Sequence, residues 1–194
     1  QVRSDMIKQT LLEQARQAQI KMSLFDDIAS GQFDEDAAPV TFNSSSDLEK
    51  NLCFLWAALH KKWELFEPLL KLGVDLSFQE VDGISAIHIS SFVGCLMGTN
   101  FLITNGVDLN AIGKGFTPLH YAVFGNQADV VKLLIQNGAA INLAKCEETP
   151  LHCAVRANSL ECLKILLSEK VDINSIEPCG FNVVHLAAEL GMLT

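Results

Sequence analysis

The sequence predicts an all-α solenoid: a stack of repeated helix pairs that follows an N-terminal helical extension. Two observations predict this class. Residues 115–122 recur in altered form 32 residues later and 32 residues earlier, and the apolar residues between these copies follow the three- and four-residue spacing of a buried helix face. A single unit of this length cannot bury its own apolar face, so successive units are expected to stack.

The repeat is anchored at two points in each unit. The first anchor reads GISAIHIS from Gly83, GFTPLHYA from Gly115, EETPLHCA from Glu147 and GFNVVHLA from Gly180, and a weaker copy starts at Leu52. The second anchor reads GVDLS from Gly73, GVDLN from Gly106, GAAIN from Gly138 and KVDIN from Lys170. Agreement at two points in four successive units excludes a chance similarity.

The T-P-L-H-x-A signature at a period of about 33 resembles the ankyrin repeat. The resemblance covers roughly residues 47–194. It implies an ankyrin-repeat solenoid in which each unit has a β-turn or hairpin and then two antiparallel helices, in a slightly curved, monomeric array. The expected repeats are 47–79, 80–112, 113–144, 145–177 and an incomplete 178–194.

The residues predict the same unit on physical grounds. Thr117 is expected to cap the first helix and Pro118 to occupy its first position, where a missing N–H has no partner to lose. Asn126 lies at the expected turn between the two helices. Gly138 is expected to take the left-handed conformation that ends the second helix, whereas Lys170 predicts a strained or reshaped turn in the fourth repeat.

Two features depart from this regular pattern. Pro68 falls inside a second helix and is expected to start or kink it near residues 63–67. The fifth unit lacks a second helix, so Val184, Leu186 and Ala187 are expected to be poorly covered. We therefore expect the intact protein to continue with further repeats.

Residues 1–46 do not carry the repeat. Residues 1–31 are expected to form one amphipathic helix, with apolar positions at Ile7, Leu11, Ala15, Ala18, Met22 and Phe25. The favoured interpretation is that it caps the exposed face of the first repeat, and the alternative is a short coiled coil or a partner-binding helix. Residues 32–46 are acidic and serine-rich, which is typical of a solvated linker, with a phosphorylated cluster as the alternative.

Composition argues against several classes of function. The net charge is −9, and only 14 lysines and arginines are spread along the chain, so nucleic-acid binding is disfavoured. The longest weakly charged stretch, 81–107, is too polar to insert into a membrane. Six cysteines without C-x-x-C spacing indicate reduced thiols and an intracellular protein, cytoplasmic or nuclear.

Histidines are the strongest candidates for chemistry. His88, His120, His152 and His185 occupy the same place in successive repeats, so they lie too far apart to bind one metal ion. The resemblance implies that each forms a hydrogen bond within the turn that starts a first helix, and His60 is expected to be exposed. We predict no catalytic site, no metal and no cofactor, and therefore no enzyme.

The resemblance implies that another protein or a peptide segment binds to the concave surface formed by the hairpin tips and the first helices. The candidate tip residues are Phe78, Glu80, Val81, Ile112, Lys114, Phe116, Lys145, Cys146, Glu148, Ile176, Glu177 and Phe181. The candidates at the ends of the first helices are Leu59, His60, Phe92, Val93, Phe124 and Arg156. Phe92, Phe116 and Phe124 are candidate anchors, since aromatic residues often dominate binding energy. The acidic balance favours a basic or mixed-charge partner.

Two functional roles agree with this surface. One is a stand-alone scaffold or adaptor. The alternative is a regulatory or substrate-recruiting module of a larger enzyme, ubiquitin-ligase subunit or ion channel. A further domain beyond residue 194 would distinguish the second role from the first.

Overall fold

The structure, a computed structural model, describes residues 2–20, 22–30, 46–143 and 148–191. Within these ranges the chain forms α-helices, a short 3-10 turn at Trp63–Leu65 and isolated β-bridges, without a β-strand. The helices are α1 (Val2–Gln17), α2 (Met22–Ser30), α3 (Asp47–Leu59), α4 (Phe66–Lys71), α5 (Ala86–Val93), α6 (Leu96–Thr104), α7 (Pro118–Phe124), α8 (Ala128–Gln136), α9 (Pro150–Arg156), α10 (Leu160–Ser168) and α11 (Val183–Glu189). The all-α prediction is confirmed, whereas the predicted linker 32–46 lies outside the described residues except for Ser46.

From α3 onward the helices form two stacked rows. The first helices of the repeats, α3, α5, α7, α9 and α11, pack on one another in chain order, and the second helices α6, α8 and α10 form a parallel row. Apolar side chains that face the other row are fully buried in each unit, as at Leu119, Leu134 and Leu151. These side chains belong to one continuous core, which confirms the predicted solenoid.

The first helices α5, α7, α9 and α11 each start at a hydroxyl or amide cap paired with a histidine, whereas α3 starts at Ser46 without one. Thr117 is the cap of α7, Pro118 follows it, and the Thr117 hydroxyl lies 2.7 Å from Nδ1 of His120. The same arrangement joins Ser85 to His88 at 2.9 Å. The predicted cap, the proline position and the role of the histidine in the turn are confirmed here.

The buried histidines also connect each helix pair to the segment that follows it. Nδ1 of His88 accepts the backbone N–H of Ser85 at 3.1 Å, so the ring proton resides on Nε2, which donates to the carbonyl of Ala111 at 3.0 Å. Nε2 of His120 lies 3.1 Å from the carbonyl of Glu148 in the following repeat. Burial lowers the pKa of each of these two imidazoles to about 4, so both rings are neutral at physiological pH.

The turns between helices follow the expected left-handed pattern, with one replacement. Gly138 has φ 92°, as predicted, and Asn126, which lies at the predicted turn between α7 and α8, is also left-handed at φ 52°. In the fourth repeat α10 ends at Ser168, and Glu169 is extended at φ −98° and ψ 175°. The turn at Lys170 is therefore reshaped, since the residue before it is extended whereas Asn137, before Gly138, has ψ 12°.

The prediction for the first repeat, which contains Pro68, is correct, and that for the incomplete fifth unit is partly wrong. Helix α4 begins at Phe66 after the 3-10 turn, which places Pro68 in its first turn, as predicted. In the fifth unit the expectation for Leu186 is wrong, because packing of α11 on α9 leaves this side chain fully buried. Val184 is exposed, as expected.

The N-terminal extension consists of two helices, so the prediction of one helix over residues 1–31 is wrong. Helix α1 ends at Gln17, and Gln19 takes a left-handed φ of 58°. Both helices pack on α3. Ile7, Leu11 and Ala15 are buried as the pattern predicts, whereas Ala18 is exposed because it lies beyond the end of the helix.

The second helix of the extension is attached through Trp56 of α3. The indole Nε1–H donates to the backbone carbonyl of Phe25 at 2.7 Å. The two rings also meet edge to face, with centroids 5.1 Å apart. The extension therefore contributes both apolar and polar contacts to the first repeat.

The lowered histidine pKa values predict that acid destabilises the fold. The unfolded chain binds protons below a pKa of about 6.5, whereas the folded chain excludes them from His88 and His120 down to about pH 4. Stability is therefore complete above about pH 6.5 and falls by up to roughly 1.4 kcal/mol per pH unit for each histidine as the pH is lowered. Urea unfolding between pH 7.5 and 5 measures this slope.

The variant His120→Gln separates this effect from the titration of carboxylates. Glutamine does not titrate, so the change of unfolding free energy with pH should become smaller by the contribution of one histidine. An unfolding free energy that stays constant from pH 7 to pH 5 in the unmodified chain would contradict the assignment.

Candidate functional site

Short hairpins connect each second helix to the next first helix. In the first hairpin, residues 78–85, the N–H of Glu80 donates to the carbonyl of Ile84 at 3.0 Å, and the N–H of Gly83 donates back to the carbonyl of Glu80 at 2.8 Å. The fourth hairpin, residues 175–182, has the same pair of bonds between Glu177, Phe181 and Gly180, at 2.9 and 2.8 Å. The two hairpins are therefore equivalent in structure.

The second hairpin, residues 110–117, is one residue tighter. Gly113 and Phe116 exchange backbone hydrogen bonds of 2.9 and 3.0 Å. The third hairpin, residues 142–149, contains the undescribed residues 144–147, so the predicted positions Lys145 and Cys146 lie outside the described part of the chain. Glu148 at its end is half-buried.

The candidate side chains separate by exposure. The half-buried candidates are Phe78, Val93, Ile112, Phe116, Phe124 and Glu148. Lys114 and Arg156 are exposed, whereas Leu59, Glu80 and Phe92 are buried. Exposure is a precondition for direct contact, so the buried three act through packing or hydrogen bonds in this conformation.

Glu80 is buried because its carboxylate closes the first hairpin from inside. Oε1 accepts the backbone N–H groups of Asp82 and Ile84 at 3.0 and 3.1 Å. Oε2 accepts the side-chain amide of Gln14, in α1, at 3.0 Å. Burial raises the pKa of the Glu80 carboxyl, and the two backbone hydrogen bonds oppose this shift.

Two of the candidate anchors form one aromatic cluster. The rings of Phe116 and Phe124 meet edge to face at a centroid distance of 5.0 Å, and Tyr121 lies 6.3 Å from Phe124. The hydroxyl of Tyr121 donates to the carbonyl of Gly113 at 3.3 Å. This cluster, with Tyr121 buried and the two phenylalanines half-buried, joins the second hairpin to the end of α7, while Phe92 is buried in the preceding repeat.

Among the described residues, the most exposed apolar side chains lie on the first and fourth hairpins. Val81 of the first hairpin is 78% exposed and Ile176 of the fourth is 69% exposed. Phe181 is exposed to a smaller extent. An aliphatic side chain with this exposure contributes nothing to the core, so it is available for contact with another molecule.

Ion pairs connect neighbouring hairpins. Nζ of Lys114 lies 3.1 Å from Oδ2 of Asp82, which joins the second hairpin to the first. Arg156 donates through Nη2 to both carboxylate oxygens of Glu177 at 2.7 and 2.6 Å, and its Nε lies 3.1 Å from Oε1 of Glu148. The bond to Glu177, followed by the nearby carboxylate charges, raises the pKa of the guanidinium.

Helix α1 lies across the first two hairpins, a placement that the sequence does not indicate. Its Gln14 contacts Glu80, and its Met6 Sδ lies 3.8 Å from Nζ of Lys114. Two grooves of about 740 and 470 Å³ separate α1 from the first hairpin, and Gln14 and Val81 line both of them. Gln14 is not among the residues that the sequence predicts, because nothing in its local pattern indicates a contact 66 residues away.

His60 lies at the other end of this region and is half-buried, so the expectation that it is exposed is wrong. Its ring lies 4.8 Å from that of Trp56. Burial, and then the charges of Lys8 and Lys62, lower the pKa of the imidazole.

Across the described ranges no group of three or more histidine, cysteine or acidic side chains is placed to hold a metal ion. Within the same ranges no helix combines the length and the apolar character needed to cross a membrane.

Comparison with protein families gives two matches. A family model of ankyrin repeats that describes three copies matches residues 54–145, and a second model that describes many copies matches residues 126–167. Together they span residues 54–167, more than half of the 194 residues.

The Arg156 pairs predict a measurable contribution to stability. The Glu177 side chain is 1% exposed, so Arg156→Ala leaves a buried carboxylate without its cation and should cost about 2 kcal/mol of unfolding free energy. Urea denaturation of both chains at pH 7 measures the difference.

As a control, Arg156→Ala is introduced into a chain that already carries Glu177→Gln, so that residue 177 has no buried charge. There the Arg156→Ala change should cost less than half as much. An equal cost in both backgrounds would show that Arg156 stabilises the chain through its aliphatic packing and not through the ion pair.

Proposed function

Since the chain belongs to the ankyrin-repeat family, we propose that it is an interaction scaffold that holds a protein or peptide segment against its hairpins and the ends of its first helices. Ankyrin repeats are in general modules of protein–protein interaction. The observation that supports this function most directly is the exposure of Val81 and Ile176 on either side of the Phe116–Phe124 cluster.

The proposed contact surface is narrower than the sequence suggests. It comprises Val81, Lys114, Phe116, Phe124 and Ile176, with Phe78, Val93 and Ile112 at its margin. Exposed aliphatic tips supply apolar area, and the half-buried aromatic pair supplies a rigid anchor between them. The buried Leu59, Glu80 and Phe92 support this surface from below.

Charge favours a basic or mixed-charge partner. The chain carries a net charge of −9, which attracts a basic partner over long range and speeds its association. This property suits a stand-alone adaptor and equally suits a recruiting module within a larger protein.

We also place the chain in a reducing, intracellular compartment. Cys53, Cys95 and Cys162 are free and buried, and Cys179 is free and exposed. Burial raises the pKa of the Cys162 thiol to about 11 and that of Cys53 further, so these thiols are unreactive packing groups.

The proposed function predicts that changes at the hairpin tips abolish binding without unfolding the chain. Val81→Asp with Ile176→Asp alters two exposed side chains, so the circular dichroism spectrum should not change. Proteins captured from cells by the immobilised chain, quantified by mass spectrometry, should fall by about tenfold or more.

The control is a second pair with the same change in charge, Met97→Asp with Leu160→Asp. Both side chains are 54% exposed and lie in the second helices α6 and α10. Capture should be unaffected by this pair. Equal capture by the tip variant and the unmodified chain would exclude the hairpin surface as the site of binding.

A further inference from the structure

The first and fourth hairpins offer an internal comparison of two buried glutamates. Glu80 and Glu177 take the same place in the same backbone turn, and both side chains lie in the interior. Twenty-one residues before Glu177 is Arg156, at the end of a first helix, and its guanidinium pairs with both carboxylate oxygens. The fourth hairpin therefore shows which ligand this carboxylate takes when the chain provides one.

The first hairpin lacks that ligand. Twenty-one residues before Glu80 is Leu59, a buried residue whose side chain cannot donate a hydrogen bond. Oε2 of Glu80 instead accepts a hydrogen bond from the neutral side-chain amide of Gln14. In the part of the chain that the structure describes, no lysine or arginine forms an ion pair with Glu80.

A buried carboxylate with neutral donors only is less well stabilised than one with a cation. Hydrogen bonds to a guanidinium are stronger than hydrogen bonds to an amide, and the planar fork of arginine matches both oxygens of a carboxylate. The raised pKa of Glu80 agrees with this difference. A cationic donor in place of Gln14 would therefore bind more tightly than Gln14 does.

The space beside Gln14 is large enough for such a donor. Both grooves between α1 and the first hairpin are lined by Gln14, and they have volumes of about 740 and 470 Å³. On the same face of α1, Leu11 and Ile7 are buried three and seven residues before Gln14, which is the spacing of one helix face. A helix with the same apolar spacing and a longer basic side chain at the equivalent position therefore fits this surface.

We propose that Glu80 is the receptor for an arginine side chain of a partner protein, presented by an amphipathic helix that takes the place of α1 on the first hairpin. The proposal rests on the proposed protein-binding function and adds the chemistry of the ligand. In the structure, α1 occupies the site that the partner helix would take, and Gln14 lies where the arginine would lie.

The direct test measures binding of two synthetic 16-residue peptides that copy helix α1, Val2–Gln17. One peptide has the native sequence and the other carries Gln14→Arg. The receptor is the full chain with Leu11→Ala, which removes a fully buried side chain of α1 and so loosens the resident helix. Fluorescence anisotropy of labelled peptide gives the affinity.

The arginine peptide should bind about tenfold more tightly than the native peptide, since an arginine–carboxylate pair replaces a neutral hydrogen bond. In the receptor that also carries Glu80→Gln this preference should disappear, because glutamine keeps an acceptor for the two backbone N–H groups but has no charge. Equal affinity of the two peptides, a preference that survives Glu80→Gln, or no binding of either peptide would each overturn the proposal.

A second measurement keeps the proposal testable if the Leu11→Ala chain does not fold. In the full chain with Gln14→Arg alone, amide hydrogen exchange in α1 should slow by about tenfold, and Glu80→Gln should cancel the effect. Unchanged exchange would overturn the arginine site. Because this readout involves no partner, it fails independently of the cellular capture experiment, so failure of the arginine site and failure of the proposed function are distinguishable.

Discussion

The structure depends on one constraint: no repeat can bury its own apolar face, so each is completed by its neighbours. The buried histidines show how this constraint acts at the level of atoms. Nδ1 of His88 and of His120 takes part in the cap of its own helix, and Nε2 reaches a backbone carbonyl of the hairpin that follows, at Ala111 and Glu148 respectively. The start of each helix is thereby linked to the segment that leads into the next repeat. Burial keeps the two imidazoles neutral.

The features that the sequence predicts are those that depend on the conformation of single residues and on the repeat period. The cap at Thr117, the left-handed turns at Asn126 and Gly138, and the early proline of α4 all follow from the conformational limits of single residues. The break between α1 and α2 was not predictable in this way, because apolar spacing continues through it and only the left-handed Gln19 marks the turn. Leu186 was misjudged because its burial depends on packing against α9.

The candidate surface was predictable in position but not in detail. The repeat identifies the hairpins and the first-helix ends, and therefore the residues near them. Exposure there depends on contacts between distant segments, as Glu80 shows: a tip position that a sequence pattern assigns to the surface is enclosed by its own turn and by α1. Arg156, similarly, has its charge engaged by two glutamates from the hairpins on either side.

The attachment of the N-terminal extension has a spectroscopic consequence. The chain contains two tryptophans. Trp56 is buried, donates its indole N–H to the Phe25 carbonyl and lies 5.7 Å below the Lys8 ammonium, whereas Trp63 is well exposed. Departure of the extension would bring water to Trp56 and leave Trp63 in its present surroundings. The protein thus contains an intrinsic fluorophore whose emission wavelength reports whether its own first two helices are docked.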